Sequence, residues 1–472
     1  MPRVTPGIVS PPHQILSPEE WRRLGRARRK QVPRSSHGEW IAPIDRPDPV
    51  STLEGQAATR VAELVAIRHG RMVASPFAYF RGAAAAMAWD LGTTPTTDIR
   101  VQACGDAHLV NFGMFAAPDR RLVFDVNDFD ETLPASFEWD VKRLAASVVI
   151  AARDRGFAER EGRRAARMAA SEYRVQMSRF AEKAFLDVWY SRIDIDTVNE
   201  LFDAAQSRAA VRRRHRAIER AHRRTSLGAL EKLCEQVDGD YRIRSVPPLI
   251  VRVPVQHHAD VEDALRGAIA EYEQSLSVER REVVNRHRFV DFARKVVGVG
   301  SVGTEAFVLL LMGDRDEEPL FLQVKEAQES VLAPHAGASE FEHQGERVVS
   351  GQRLTQAAGD PFLGWTSGLG SDRATPKHYY VRQLRDMKGD MAVPRMDAPQ
   401  LASYAGLCGW ALARGHARTG RAAMIAGYLG GSDRFDRAIE RFAVAYADQN
   451  EDDHRRLAEA VAGGFPAVVE AV

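Results

Sequence analysis

Apolar positions change period along this chain, and the changes mark out its elements. From Leu53 to Leu91 they recur at helical spacing in alanine-rich sequence, with a break at Ser75-Pro76. "DIRVQACGD" then reads as a short strand entering a loop, and "RRLVFDVND" as a second strand entering another. In "FEWDVKRLAASVVIAARDRG", Phe137, Val141, Leu144, Ala145 and Val148 share one helical face, and Gly156 supplies a stop. Helical periodicity holds almost throughout residues 157–235 and returns near Ala259–Ser275. Then "FVDFARKVVGVGSVGTEAFVLLLMGDRDEEPLFLQVKEA" presents β-branched apolar runs separated by glycines and acids, which predicts a strand meander. A helix around Glu340–Ala358, a strand at "HYYVRQL" and a helix from about Pro399 to Arg418 complete the pattern, and no internal repeat is visible.

With 472 residues the chain is long enough for more than one domain or for a two-lobed enzyme. A formal net charge of +1 carries no field that would draw the whole chain to nucleic acid or a membrane surface. Residues 1–50, rich in Pro, Arg and Ser, read as an arm that wraps or frays, and its basic "RRLGRARRK" as solvated lead-in. The run Arg208 to Arg224 reads as a solvated helical face, with a site for a phosphorylated or acidic substrate as the sharper alternative. Cys104, Cys234 and Cys408 lie far apart, in no metal-binding spacing, and suit a reducing compartment. The longest apolar run, Leu144–Ala152, is too short to span a bilayer, and the N-terminus lacks the apolar core of a signal peptide. The expectation is a soluble cytoplasmic protein.

Two constellations carry candidate chemistry. "GVGSVG" places Gly298, Gly300 and Gly303 in a G-x-G-x-x-G pattern, with Ser301 between them. A dinucleotide fold needs a helix directly after such glycines, whereas "TEAFVLLLM" reads as a strand. A glycine hairpin over phosphates is the protein-kinase arrangement, in which the next strand carries a lysine. "LFLQVKEA" supplies Lys325 at that place. A glutamate on the following helix should hold the lysine; Glu340, Glu342 and Glu346 are candidates, with Glu346 favoured.

The second constellation is "CGDAHLVNFG". Asp106 and Asn111 fit the kinase catalytic loop D-x-x-x-x-N, with Asp106 as the base and Asn111 as a metal ligand. A second acid beyond a short strand should hold the same magnesium, and Asp125, Asp128 and Asp130 all qualify. Asp, Asn and Gly are also ordinary turn formers, so the loop alone would not carry the reading; its pairing with a hairpin and a lysine does. His108 either supports the loop or touches substrate. No second histidine or cysteine lies at zinc-ligand spacing.

"GDAHLVN", "VFDVND" and "EWDVKRLA" resemble elements of aminoglycoside phosphotransferases and choline kinases, which share the protein-kinase fold. The resemblance implies Asp106 as catalytic base, Asn111 and Asp125 as metal ligands, and Asp140 as the acid bracing the catalytic loop. Cys104 stands where those enzymes carry a histidine. Nearly the whole chain is also similar to a bacterial family known as domain-of-unknown-function family 2252, through stretches such as "RHGRMVASPFAYFRGAA", "FDVNDFDET", "GERVVSGQRL" and "YYVRQLRDMKG". That family has been grouped with kinase-like folds.

The parts occur in reversed order relative to ordinary kinases, which a circular permutation explains. "LASYAGLCGWALARGHARTG" resembles the helix that precedes the catalytic loop, with His416 at the matching end. The expected fold is α+β: a two-lobed, circularly permuted, protein-kinase-like fold with a large helical C-lobe and a small antiparallel-sheet N-lobe. The divisions are an arm (1–50), a helical part with the catalytic and metal loops (51–285), a sheet with the glycine hairpin (286–395) and closing helices (396–472). Lys325 and Asp125 should then meet across one cleft. The expected activity is ATP- and magnesium-dependent phosphoryl transfer to an unidentified, small-molecule hydroxyl acceptor. Nucleotidyl (AMP) transfer on the same fold and a nucleotide-binding pseudokinase are the rival readings. "YADQNEDDH" near the C-terminus reads as a solvated helix face, or as acceptor-site lining if the termini approach the catalytic loop.

Overall fold

The computed structural model describes residues 16–203, 208–222, 225–252, 259–296, 298–300, 302–315, 318–368, 376–384 and 387–468. The chain is a mixed α+β structure whose sheets are antiparallel. Its apolar interior divides in a way that follows from the two periodicities.

The larger core gathers the helices Phe137–Asp154, Glu159–Phe180, Ala398–Thr419 and Arg434–Ala462. Helix Phe137–Asp154 is buried on nearly every face, which explains its long uncharged stretch Leu144–Ala152. Helices Glu159–Phe180 and Ala398–Thr419 pack closely because their contact is built from Ala and Gly: a Cβ on Gly409 would sit 2.2 Å from the Ala169 carbonyl oxygen. Among the described residues no helix is long and apolar enough to cross a membrane.

The second region is a six-stranded sheet in the order Gly364–Ser367, His378–Gln383, Pro319–Glu326, Ala306–Met312, Arg288–Lys295, Ile250–Arg252. Phe292, Phe307, Leu309, Leu322 and Val324 on one face pack under helix Ala259–Ser275. Ala293, Val308, Leu310 and Phe321, at alternating positions, face helix Ser226–Leu233. Both faces are covered, so these strands are continuous apolar runs rather than alternating ones.

Several expectations shift. The sheet's covering helices begin at Ser226, so the apolar cores do not divide at residue 285. The helical reading of 157–235 missed the hairpin that pairs Cys234–Val237 with Asp240–Ile243. The arm does not fray over residues 16–50. Ser17 and Glu20 form a capping box on helix Pro18–Gln31, and that helix lies along Ala422–Leu429, with Arg29 donating to the Tyr428 carbonyl at 2.8 Å. Arg46 then bridges Asp90 and Asp453 at 2.7 Å each. "YADQNEDDH" is accordingly a fastening: Tyr446 donates to Asp90, Asn450 to the Pro76 carbonyl, and Asp453 receives Arg46.

Candidate active site

Two short strand pairs set up the loops that matter. Arg100–Ala103 pairs with Leu133–Ser136, and Phe112–Ala116 with Leu122–Val126. The loop after Ala103 and the loop after Val126 therefore emerge side by side. Gly105 adopts φ +79°, and a Cβ there would lie 2.4 Å from the Glu131 carbonyl oxygen. The two loops touch because this residue has no side chain.

Asp140, on the first turn of helix Phe137–Asp154, holds the first loop. Its carboxylate accepts the amides of Cys104 (2.8 Å) and Gly105 (3.0 Å) and the Cys104 thiol (3.1 Å). His416 Nε2, from 276 positions away, reaches the same carboxylate at 3.1 Å, and Tyr173 holds the other His416 nitrogen at 2.9 Å. Burial alone would raise the Asp140 pKa; His416 and the Cys104 donors outweigh it and hold the carboxyl below its ordinary value. Cys104 thus joins the acid through its thiol at the position where a histidine was expected.

Asp106 projects from this anchored loop. Arg143 grips its Oδ1 with Nε and Nη2, both at 2.5 Å, while its guanidinium lies over the Phe80 ring. His108 is buried, and burial pushes its pKa down to about 4, so it is neutral near pH 7; its Nε2 stands 3.7 Å from Asp106 Oδ2. Asn111 donates from its Nδ2 to the Asp106 carbonyl at 2.8 Å, which leaves the amide oxygen available to accept a hydrogen bond or ligate a cation. From the second loop, burial and then the neighbouring Asp130 charge raise the Asp128 pKa. Asp130 is the hub of a network: Lys325 Nζ lies 2.5 Å and Tyr380 Oη 2.6 Å from its two carboxylate oxygens. Burial pushes the Asp130 carboxyl up, but Lys325 wins and holds it low.

Asp106, His108, Asn111, Asp128, Asp130 and Glu131 line one wall of a cleft of about 880 Å³, mouth included. Gly298 and Gly300 close it from above. They belong to the turn between the antiparallel strands Arg288–Lys295 and Ala306–Met312, so the glycines do sit at a hairpin tip. Gly298 and Gly303 take φ of +69° and +95°. Ser301 lies outside the described residues. The turn is docked rather than free: Arg71 donates to the Gly298 carbonyl at 2.8 Å, Arg60 to Val302 at 2.5 Å, and the Val61 amide to Gly303 at 2.8 Å.

Two expected positions are corrected. Asp125 does not line the cleft; it is buried in an ion pair with Arg414 at 2.5 Å. Lys325 accordingly meets Asp130 and not Asp125. Glu346 does not reach Lys325. Its neighbour Arg347, one residue and about 100° further round helix Gln344–Thr355, is the one turned inward, donating to the carbonyls of Asp130, Thr132 and Gln328.

Among the described residues no group of three or more His, Cys, Asp or Glu side chains forms a metal cage. The Asn111 amide oxygen beside the crowded carboxylates Asp128 and Asp130 nevertheless suits magnesium, a hard cation that takes few protein oxygens and keeps waters and phosphate oxygens for the rest.

The opposite wall was not legible in advance. Arg60, Arg68 and Arg81 line it, from sequence that shows only alanine-rich helical periodicity. An arginine on a helix is ordinarily solvated, and no spacing rule separates these three from the rest.

No curated protein and no solved structure shows significant similarity to this chain. Residues 60–460 match the family described as uncharacterized proteins conserved in bacteria, DUF2252. The match takes in both walls of the cleft, its glycine turn and the helix bearing His416, and the chain belongs to that family.

Proposed function

We propose that this chain is an ATP- and magnesium-dependent phosphotransferase with a hydroxyl-bearing small-molecule acceptor, on a protein-kinase-like fold in permuted order. One observation carries the reading: Asp106, Asn111 and Asp128 line a single cleft beneath the glycine turn, with Lys325 bonded to the adjoining Asp130. The permuted order draws support from helix Ala398–Thr419. Its end abuts the strand entering the Asp106 loop, with the Gln102 amide 3.0 Å from Thr419 Oγ1 and His416 on Asp140.

In this reading Arg143 fixes one oxygen of Asp106 and leaves the other to orient the acceptor hydroxyl and receive its proton. Asn111 and Asp128 hold the magnesium. When bound, the ion neutralises phosphate charge. Lys325 acts as a positioning residue that keeps Asp130 ionised and the second loop in place. The glycine turn, held by Arg60 and Arg71, covers the phosphates. Catalysis is then mainly alignment and charge neutralisation.

The test is turnover of ATP against a panel of hydroxyl acceptors, with product mass recorded for the parent and for Asp106→Asn. The expected result is a product heavier by one phosphoryl group and a loss of about 10²–10⁴-fold in the variant with ATP affinity retained. A product carrying AMP would establish nucleotidyl transfer instead. ATP binding without turnover in the parent would leave a nucleotide-binding module.

A further inference from the structure

The cleft that the acids line also holds three arginines with guanidinium nitrogens that no protein group partners. Arg68 is 1 % exposed. One of its terminal nitrogens serves Gln56 (2.8 Å) and the Gly82 carbonyl (2.9 Å), while its Nε and other terminal nitrogen have no partner. Arg60 and Arg81 each have an Nε without a partner as well. None of the three makes an ion pair within 4 Å among the described residues, although Arg46, Arg143 and Arg174 each bind a carboxylate at 2.8 Å or less. Buried guanidinium groups without an anion are costly, and a fold that places three together is incomplete without one.

The geometry points to an oxyanion site on this wall: Arg60, Arg68 and Arg81 bind a phosphoryl group of two or more negative charges, facing the Asp106–Asn111–Asp128 wall. The planar guanidinium fork matches phosphate oxygens in pairs, which suits three arginines converging on one tetrahedral anion. A carboxylate would satisfy fewer of these donors. Desolvation, and in second place the Arg60 charge, lower the Arg68 pKa to about 9; a bound anion relieves both. Gly300 makes the closeness of the glycine turn possible: a Cβ there would lie 3.0 Å from the Arg81 carbonyl oxygen. The turn and the arginines therefore converge on the same space. The inference rests on the phosphotransferase reading for the source of the anion, which is either the terminal phosphates of the nucleotide or a phosphate ester on the acceptor.

Calorimetric titration of the full chain with inorganic tripolyphosphate and with inorganic phosphate, with and without magnesium, tests it. Saturable binding is expected for at least one of the two probes, weakened roughly tenfold or more by Arg81→Gln and by Arg60→Gln. These two part-buried positions carry less folding risk than the fully buried Arg68, and unchanged melting of each variant guards against misfolding. Titration with ATP separates the sources. If nucleotide phosphates fill the site, tripolyphosphate competes with ATP and both variants weaken ATP. If an acceptor phosphate fills it, inorganic phosphate binds alongside ATP and the variants leave ATP affinity unchanged. Absence of saturable binding by either probe, or equal binding by parent and variants, overturns the inference. Anion binding that depends on the arginines in a chain that neither binds nor turns over ATP would leave this site standing and remove the phosphotransferase reading.

Discussion

On one wall of the cleft each carboxylate accepts at least one hydrogen bond from the protein; on the other, three guanidinium groups keep nitrogens that have none. Asp106 has Arg143, Asp130 has Lys325 and Tyr380, and Glu131 receives the Val331 amide at 2.8 Å. Arg60, Arg68 and Arg81 have backbone or amide oxygens at best. The acids are thus pre-oriented by the fold, while the arginines are stored positive charge. Pre-orientation is what a reacting or metal-holding group requires, and unanswered charge is what a ligand answers.

The contrast predicts unequal responses to mutation. The largest is expected at Asp140, which carries the acid wall without lining the cleft. Asp140→Ala strands two buried amides and His416, and should cost about 3–5 kcal/mol of unfolding free energy in urea titration. A cost near zero would show that the loop holds itself. Asp125 and Asp128 come next, because they lie three positions apart yet have different surroundings. Asp125→Asn breaks the buried pair with Arg414 and should cost about 3 kcal/mol, whereas Asp128→Asn should leave stability nearly unchanged and raise the magnesium concentration needed for turnover. The reverse pattern would restore Asp125 as the metal ligand.

Glu131 sharpens the comparison through pH. Burial first, with Asp130 and Asp106 adding to it, raises its pKa from 4.5 to about 7, against the opposing Val331 amide and Arg347. The folded state therefore binds this proton more tightly than the unfolded state does. Stability from this group is fully present below pH 4.5 and is lost as pH rises through about 7. Glu131→Gln should flatten that decline, by no more than ~3 kcal/mol, when urea midpoints at pH 5 and pH 8 are compared. A variant that declines as steeply as the parent would assign the proton elsewhere. The smallest effect belongs to the arginine wall's support. Gly303→Ala, at φ +95° and with a Cβ 3.0 Å from that of Arg60, should cost about 1–2 kcal/mol and weaken tripolyphosphate binding. Unchanged binding would separate the turn from the anion site.

Legibility in the sequence followed the range of the interaction. Helix Ala259–Ser275 appears within its expected bounds, and Ala398–Thr419 within one residue of them, because each presents its own periodic face. The glycine turn was legible because the runs on either side of it are long and rich in Phe, Val and Leu. The hairpin from Cys234 to Ile243 was not, being two four-residue strands with mixed polarity after a long helical stretch. At the site, the D-x-x-x-x-N spacing of Asp106 and Asn111 is local, and the structure brings both to the cleft. That Asp128 and Asp130 line that cleft and Asp125 does not depends on Arg414, which lies 289 positions from Asp125.

By itself, then, the sequence determined the long periodic helices and the apolar strands around the glycine turn, and which loop concentrates acids and an asparagine, because periodicity and turn chemistry act over a few residues. Only the tertiary structure decided the partners: Lys325 with Asp130, Asp140 with His416, and three arginines brought to the acids' cleft without an ion pair within 4 Å among the described residues. Charge pairing and burial depend on distances through space, and no pattern along the chain encodes a neighbour that arrives from 195 or 276 positions away.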